Sequence, residues 1–244
     1  MKKFISLSKY PGKTGEYFYN NFFEYYGIDA VYEPRGTDNL YRSIEQAIMD
    51  NVAGISISMP YKTEVIQYLD KVTGQCEIYN SCNTVAVKKG QFIGHNADIA
   101  GVEYTCKFIN KGDKITILGS GAMATMYCTY LEPDHYANLN VCARSLNTWQ
   151  NKDLPADVVI NATGLGTSTS ESPYETFPNG IRLVIDLAMK SNQLEQQCKS
   201  AGIKYISGRE FYKEQFLKQF EIYTGIKPDR DVFDEIESRL YETF

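Results

Sequence analysis

The chain has 244 residues, 43% of them hydrophobic, enough to bury a sizeable core as one large domain or two smaller ones. Its formal net charge of −5, with lysines and arginines scattered along the chain, argues against nucleic acid as a partner. No segment approaches the roughly twenty apolar residues of a membrane span, and no long apolar stretch follows Met1-Lys2-Lys3, so the sequence reads as cytoplasmic.

The first part alternates strand and helix. Phe4–Ser8 reads as a strand, Glu16–Tyr26 as a helix stopped by Gly27, and Asp29–Glu33 as a second strand. Asn39–Asp50 reads as a helix capped by Asp38, with Leu40, Ile44, Ala47 and Ile48 on its apolar face. Val52–Ser58 is a third strand, and Pro60 sits where the first position of a helix running to Leu69 is expected. Thr84–Lys88 and Gln91–Gly94 form a hairpin around Lys89-Gly90.

From Asp98 onward the pattern becomes strand–helix–strand. The strands are Lys114–Leu118, Leu139–Ala143, Asp157–Asn161, Arg182–Asp186 and Lys204–Ile206, with helices over Ala122–Leu131 and Asn192–Ser200. That is the pattern of a doubly wound parallel sheet. The polar run Thr167–Pro173 follows the third of these strands, at the edge where such sheets bind ligands. The tail from Arg209 is helical, broken near Gly225–Asp229. The expected architecture is an α/β protein of two lobes with a cleft between them. Residues 1–98 form a substrate-binding lobe, residues 99–208 a Rossmann-type lobe, and residues 209–244 pack back on the first.

The six cysteines include no C-x-x-C pair and read as reduced, mostly buried thiols. His95 and His135 are far apart in sequence, so no metal site is expected, and no nucleophile elbow is present.

The segment Gly119-Ser120-Gly121-Ala122-Met123-Ala124 follows an apolar strand and opens a helix, the G-x-G-x-x-G/A pattern of a dinucleotide site. Gly119 permits the tight turn, Gly121 lets backbone approach a pyrophosphate, and exposed N–H groups at the helix start favour an anion. After the next strand an NAD enzyme places an acidic residue on the ribose 2′-hydroxyl. Here Arg144 and Ser145 stand there, which suits a 2′-phosphate and points to NADP.

Lys62 in Ser56-Ile57-Ser58-Met59-Pro60-Tyr61-Lys62 falls in the first turn of the expected helix, where a cation is disfavoured and a lysine suited to general acid–base work can arise. Its bland reading is a lysine reaching to solvent. Asp98 lies where the first lobe gives way to the second, as a partner for Lys62 or as the cap of the helix beginning near Ile99. Asn83 can bond a polyhydroxy substrate or cap a turn.

Met59-Pro60-Tyr61-Lys62, Asn83-Thr84, Asn96-Ala97-Asp98, the glycine loop and Ala143-Arg144-Ser145 occur in an order and spacing that resemble the shikimate dehydrogenases. Asn161-Ala162-Thr163-Gly164-Leu165-Gly166 and the pair Gly208 and Gln215 extend the resemblance over nearly the whole chain. The resemblance implies NADP-linked interconversion of 3-dehydroshikimate and shikimate, with Lys62 and Asp98 as the catalytic dyad. It assigns substrate hydroxyls to Ser58, Asn83 and Gln215, the pyrophosphate to Gly119, Gly121 and Ala122, and the 2′-phosphate to Arg144 and Ser145. Thr163 lies along the cofactor. The expected state is a monomer or homodimer acting on a small molecule.

The first loop departs from the family pattern. In the family a serine pair holds the substrate carboxylate; counted back from Asn20 its positions are Lys13, Thr14 and Gly15, and counted from the strand they are Ser6-Leu7-Ser8, within the expected strand. The loop resembles the divergent shikimate dehydrogenase-like subfamily, and Lys13 is left to pair with a carboxylate. Ser58 stands for a threonine, Ala97 for another, and Thr148 for a second basic residue after Arg144. A competing reading is a catalytically weak NADP or ligand sensor on the same fold.

Overall fold

The computed structural model describes residues 1–166, 169, 171–190 and 192–242. The chain divides into two compact units: Met1–Ala97 with Phe216–Phe244, and Asp98–Gln215.

The first unit is built on a six-stranded mixed sheet. Strand β1 (Lys2–Ser8) lies parallel to β2 (Ala30–Gly36) and to β3 (Gly54–Ile57), reached through helices α1 (Thr14–Tyr25) and α2 (Leu40–Met49). Phe4, Ile5 and Leu7 are buried in succession, as expected of a parallel strand covered on both faces. Beyond β3 come β4 (Lys71–Val72), helix α3 (Gly74–Tyr79), β5 (Thr84–Lys88) and β6 (Gln91–His95). The sheet order is β2-β1-β3-β5-β6-β4, with β5 antiparallel to both neighbours. The carboxyl ends of β1, β2, β3 and β6 and the amino end of β5 therefore share one edge.

Helix α7 (Gly208–Thr224) starts in the second unit, and its part from Phe216 belongs to this one together with helix α8 (Arg230–Glu242). Phe18 and Phe22, then Tyr19 and Phe23, repeat four apart on α1 and meet Phe216 and Phe220 of α7 and Phe233 of α8. Phe18 stacks on Phe233 with ring centroids 4.4 Å apart. Each such pair adds about 0.5–1.5 kcal/mol beyond the area it buries.

The second unit holds a five-stranded, wholly parallel sheet. Its strands are β7 (Ile115–Leu118), β8 (Leu139–Cys142), β9 (Val158–Asn161), β10 (Leu183–Asp186) and β11 (Lys204–Ile206), in the order β11-β10-β9-β7-β8. Helix α4 (Asp98–Cys106) leads into it, α5 (Ala122–His135) joins β7 to β8, and α6 (Gln193–Ala201) joins β10 to β11. Between β8 and β9 the crossover is made of short 3-10 turns over Arg144–Leu146 and Trp149–Asp153. Part of the polar run expected after β9, namely Thr167, Ser168 and Ser170, lies outside the described residues.

Two expectations are corrected. Helix α2 is capped by Asn39, not Asp38: the Asn39 Oδ1 accepts from the Arg42 N–H at 3.0 Å, and Asp38 is exposed beside Lys9. The helix expected from Pro60 to Leu69 is a turn followed by a single 3-10 segment, Glu64–Tyr68. The chain there gives its polar groups to tertiary partners. Lys62 C=O accepts from the Cys82 N–H at 2.7 Å, Thr63 donates to Asn80 O, and Tyr61 donates to Thr37 O. A carbonyl engaged in this way is not free for a helical ladder. Lys62 thus has no α-helix N-terminus beside it in sequence.

Candidate active site

In the second unit the sheet order places a change of direction between β7 and its two neighbours, the position where open parallel sheets bind ligands at the carboxyl edge. A cavity of about 480 Å³ lies there, lined by the turns after β7, β8 and β9. Gly119, Gly121, Arg144, Ser145 and Thr163 all line it, while Ala122 opens α5 just beyond.

Gly119 has φ +115°, and a Cβ there would stand 2.9 Å from the Ala162 carbonyl oxygen, so only glycine fits. At Gly121 a Cβ would meet nothing within 4 Å, which leaves open space above the backbone for a ligand to approach. Ser120 and Ser145 share a hydroxyl–hydroxyl bond of 2.7 Å that ties the turn after β7 to the one after β8. The Arg144 guanidinium lies 5.3 Å from the centre of the Trp149 ring, a cation–π contact on the cavity wall.

No carboxylate lines the cavity among the described residues. A ribose bearing a free 2′-hydroxyl finds no acidic acceptor, whereas a 2′-phosphate finds a guanidinium and two hydroxyls. The donor set fits NADP. Trp149 and Leu165 also line the cavity. The sequence motifs do not mark Trp149, although it is the only tryptophan of the chain and follows Arg144 closely.

The turn after β9 is held from beneath. Asn161 Oδ1 accepts from the Thr163 N–H and hydroxyl, at 3.2 and 2.6 Å, and Asn161 Nδ2 donates to Asp186 at 2.9 Å. Asp186 is wholly buried and accepts also from Asn192, Tyr205 and the Ala188 N–H. This buried carboxylate is satisfied by four donors, and burial beside it pushes the Tyr205 hydroxyl pKa up. Gly208 meets the same run: a Cβ there would stand 2.5 Å from Leu187 O.

In the first unit Lys13, Ser58, Lys62 and Asn83 lie in segments that leave or enter strands at the shared sheet edge. Ser58 follows β3, is exposed, and donates its N–H to Leu7 O at 3.0 Å. Lys62 is half-buried, with its backbone fastened to Cys82, next to Asn83. Lys13 is exposed at the start of α1, its C=O accepting from the Tyr17 N–H at 3.0 Å. Ser6 and Ser8 lie within β1, not in the loop after it. Asp98 and Gln215 bound the second unit: Gln215 is half-buried in α7, and Asp98, 3% exposed, opens α4 directly after β6 and Asn96-Ala97.

Asn83 is 1% exposed. Its Oδ1 accepts from the Ala97 N–H at 2.8 Å and from the Thr84 hydroxyl at 2.7 Å. Because a backbone N–H faces it, this atom is the oxygen and the other is Nδ2. Nδ2 is buried with no protein partner. Buried donors rarely stay unpaired, so this amide is a ready donor for a ligand.

A mixed-sheet unit followed by a parallel-sheet nucleotide fold is the architecture of an NADP-dependent oxidoreductase acting on a CH–OH group. Residues 15–85 match the family described as shikimate dehydrogenase substrate binding domain. The shikimate dehydrogenase (NADP(+)) of Methanococcus maripaludis is 30% identical over 85% of this chain and 83% of its own length. That of Pyrococcus abyssi is 29% identical over 89% and 90%. The solved structure of a shikimate 5-dehydrogenase-like protein superposes with a TM-score of 0.87 at 24% identity, covering 97% of this chain and 96% of that one. The chain belongs to the shikimate dehydrogenase family.

Proposed function

We propose that the protein is an NADP-dependent oxidoreductase interconverting shikimate and 3-dehydroshikimate, or a closely related cyclic hydroxy acid. The observation that carries the reading is the glycine-edged cavity, which offers Arg144 and no carboxylate, in a chain whose relatives are named as NADP-linked shikimate dehydrogenases. The six free thiols fit a protein of a reducing, cytoplasmic compartment.

Gly119, Gly121 and Ala122 would hold the pyrophosphate, Arg144 and Ser145 the 2′-phosphate, with Thr163 alongside. NADP supplies, when bound, the nicotinamide that accepts a hydride from the alcohol carbon. The chain's own residues do the rest. Asn83 Nδ2 donates to one substrate hydroxyl, Ser58 and Gln215 bond others, and Lys13 faces the carboxylate. Lys62 takes the proton of the hydroxyl being oxidised and returns it in the reverse direction, with Asp98 as its acidic partner.

The test is shikimate oxidation at saturating NADP by the wild type and by Lys62→Ala. Removing a general base costs about 10²–10⁴-fold in kcat, with NADP affinity unchanged. A Lys62→Ala variant that turns over at the wild-type rate would overturn the assignment of the base.

A further inference from the structure

Asn83 can serve a substrate only if its amide is held one way round, and beside the Ala97 N–H a second group that holds it comes from far along the chain. Gln219 is 4% exposed on α7, one turn beyond Gln215. Its Nε2 donates to the Asn83 carbonyl at 3.0 Å and to the Thr84 Oγ1 at 2.6 Å. Its Oε1 accepts from the Tyr19 hydroxyl at 2.6 Å and from the Ser56 hydroxyl at 3.1 Å. A glutamine amide has two N–H donors and two acceptor positions. All four are used.

The direction of every bond in this chain is fixed from its two ends. The Asn83 carbonyl can only accept, so the nitrogen of Gln219 must face it. The second N–H of that nitrogen then points at Thr84 Oγ1, so the Thr84 proton must be given onward. It goes to Asn83 Oδ1 at 2.7 Å, and the Ala97 N–H at 2.8 Å, which can only donate, confirms that atom as the acceptor. One arrangement satisfies both ends, and it leaves Asn83 Nδ2 as the buried donor without a partner among the described residues. Ser56 is held in turn by Tyr223 at 2.9 Å, so the relay is anchored below as well.

We infer that Gln219 is a positioning residue for substrate recognition: through the Thr84 hydroxyl it sets the orientation of the Asn83 amide. This rests on the proposed reading of Asn83 as a substrate donor.

Gln219→Met keeps the shape and removes the bonds, and Thr84→Val breaks the relay at its next link. For each, KM for shikimate is expected to rise roughly tenfold, the loss of about one well-placed hydrogen bond, with the KM for NADP unchanged. Thr84→Ser should restore the wild-type value, and the double variant should be no worse than the worse single one, since both act on one relay. A fall in kcat with unchanged KM, or fully additive losses, would overturn the inference and leave Gln219 a packing residue. The Asn83 side-chain amide resonances, observed by NMR without substrate, separate this from the wider reading. If the wild type does not oxidise shikimate, the proposed function fails, and the positioning claim is decided on those resonances alone. One fixed pair of signals in the wild type that shifts or averages in Gln219→Met supports it. Identical signals in both proteins refute it.

Discussion

The two units build their sites by opposite means. In Asp98–Gln215 the cavity is made by short turns after three adjacent parallel strands, and its shape comes from backbone. In the first unit the sheet edge is shaped by side chains that find partners across great sequence distance: Tyr19 and Gln219 are 200 residues apart, Gln219 and Asn83 136. The cavity of the second unit is built from turns close in sequence to its strands, and the sheet edge of the first is a long-range network. A single substitution should therefore act differently in each.

The largest effect is expected where backbone makes the site. In Gly119→Val the new Cβ meets the Ala162 carbonyl and the residue must hold φ +115°. The expected cost is about 1–3 kcal/mol of stability together with loss of NADP binding, read by thermal unfolding and by calorimetric titration. Near-wild-type affinity would show that the turn does not carry the pyrophosphate.

Next in size is Arg144→Asp. It removes the cation from the cavity and supplies the missing carboxylate, so preference should move from NADP toward NAD by at least about tenfold in kcat/KM. Shikimate KM should not change, because no first-unit residue is touched. A preference that stays with NADP would remove Arg144 from the 2′-phosphate site.

The smallest effect is a pH dependence in the first unit. Burial, with help from Lys88 and Lys218, holds the His95 pKa below its ordinary value. The unfolded chain then binds a proton that the folded one refuses. The stability that His95 gives is present above its unfolded pKa, about 6.5, and is lost as pH falls through that value toward the folded one. Denaturant melts from pH 7.5 to 5 (roughly one unit either side of that value) should show the loss, and His95→Gln should flatten it. An equal slope in the variant would place the titration elsewhere.

The same contrast explains what the sequence made legible. The strands of the second unit stand out because each is a short apolar run ended by glycine or a polar turn, and Gly119 and Arg144 follow their strands at fixed spacing. The tail reads as helical with its break near Gly225–Asp229, and α7 and α8 fall on either side of that break. Asn39 as the cap in place of Asp38, and the turn at Lys62 in place of a helix, were not. In each case a hydrogen bond decided the outcome: Asn39 to Arg42 within one turn, Lys62 to Cys82 across the loop. Gln219 was invisible because a glutamine on a helix reads as solvated until its four partners, from three other segments, are known. Trp149 was missed for the same reason, since its contact with Arg144 depends on how the turn after β8 folds back.

The central claim is that the protein oxidises shikimate with NADP. The most direct test follows nicotinamide absorbance on mixing the wild-type protein with shikimate and NADP, with NAD in parallel, after NADP binding to the same preparation has been verified by calorimetry. The account predicts saturable formation of reduced nicotinamide that matches the shikimate consumed and is far faster with NADP than with NAD. NADP binding without any reduced nicotinamide would contradict it, leaving a protein that holds the cofactor but does not oxidise shikimate.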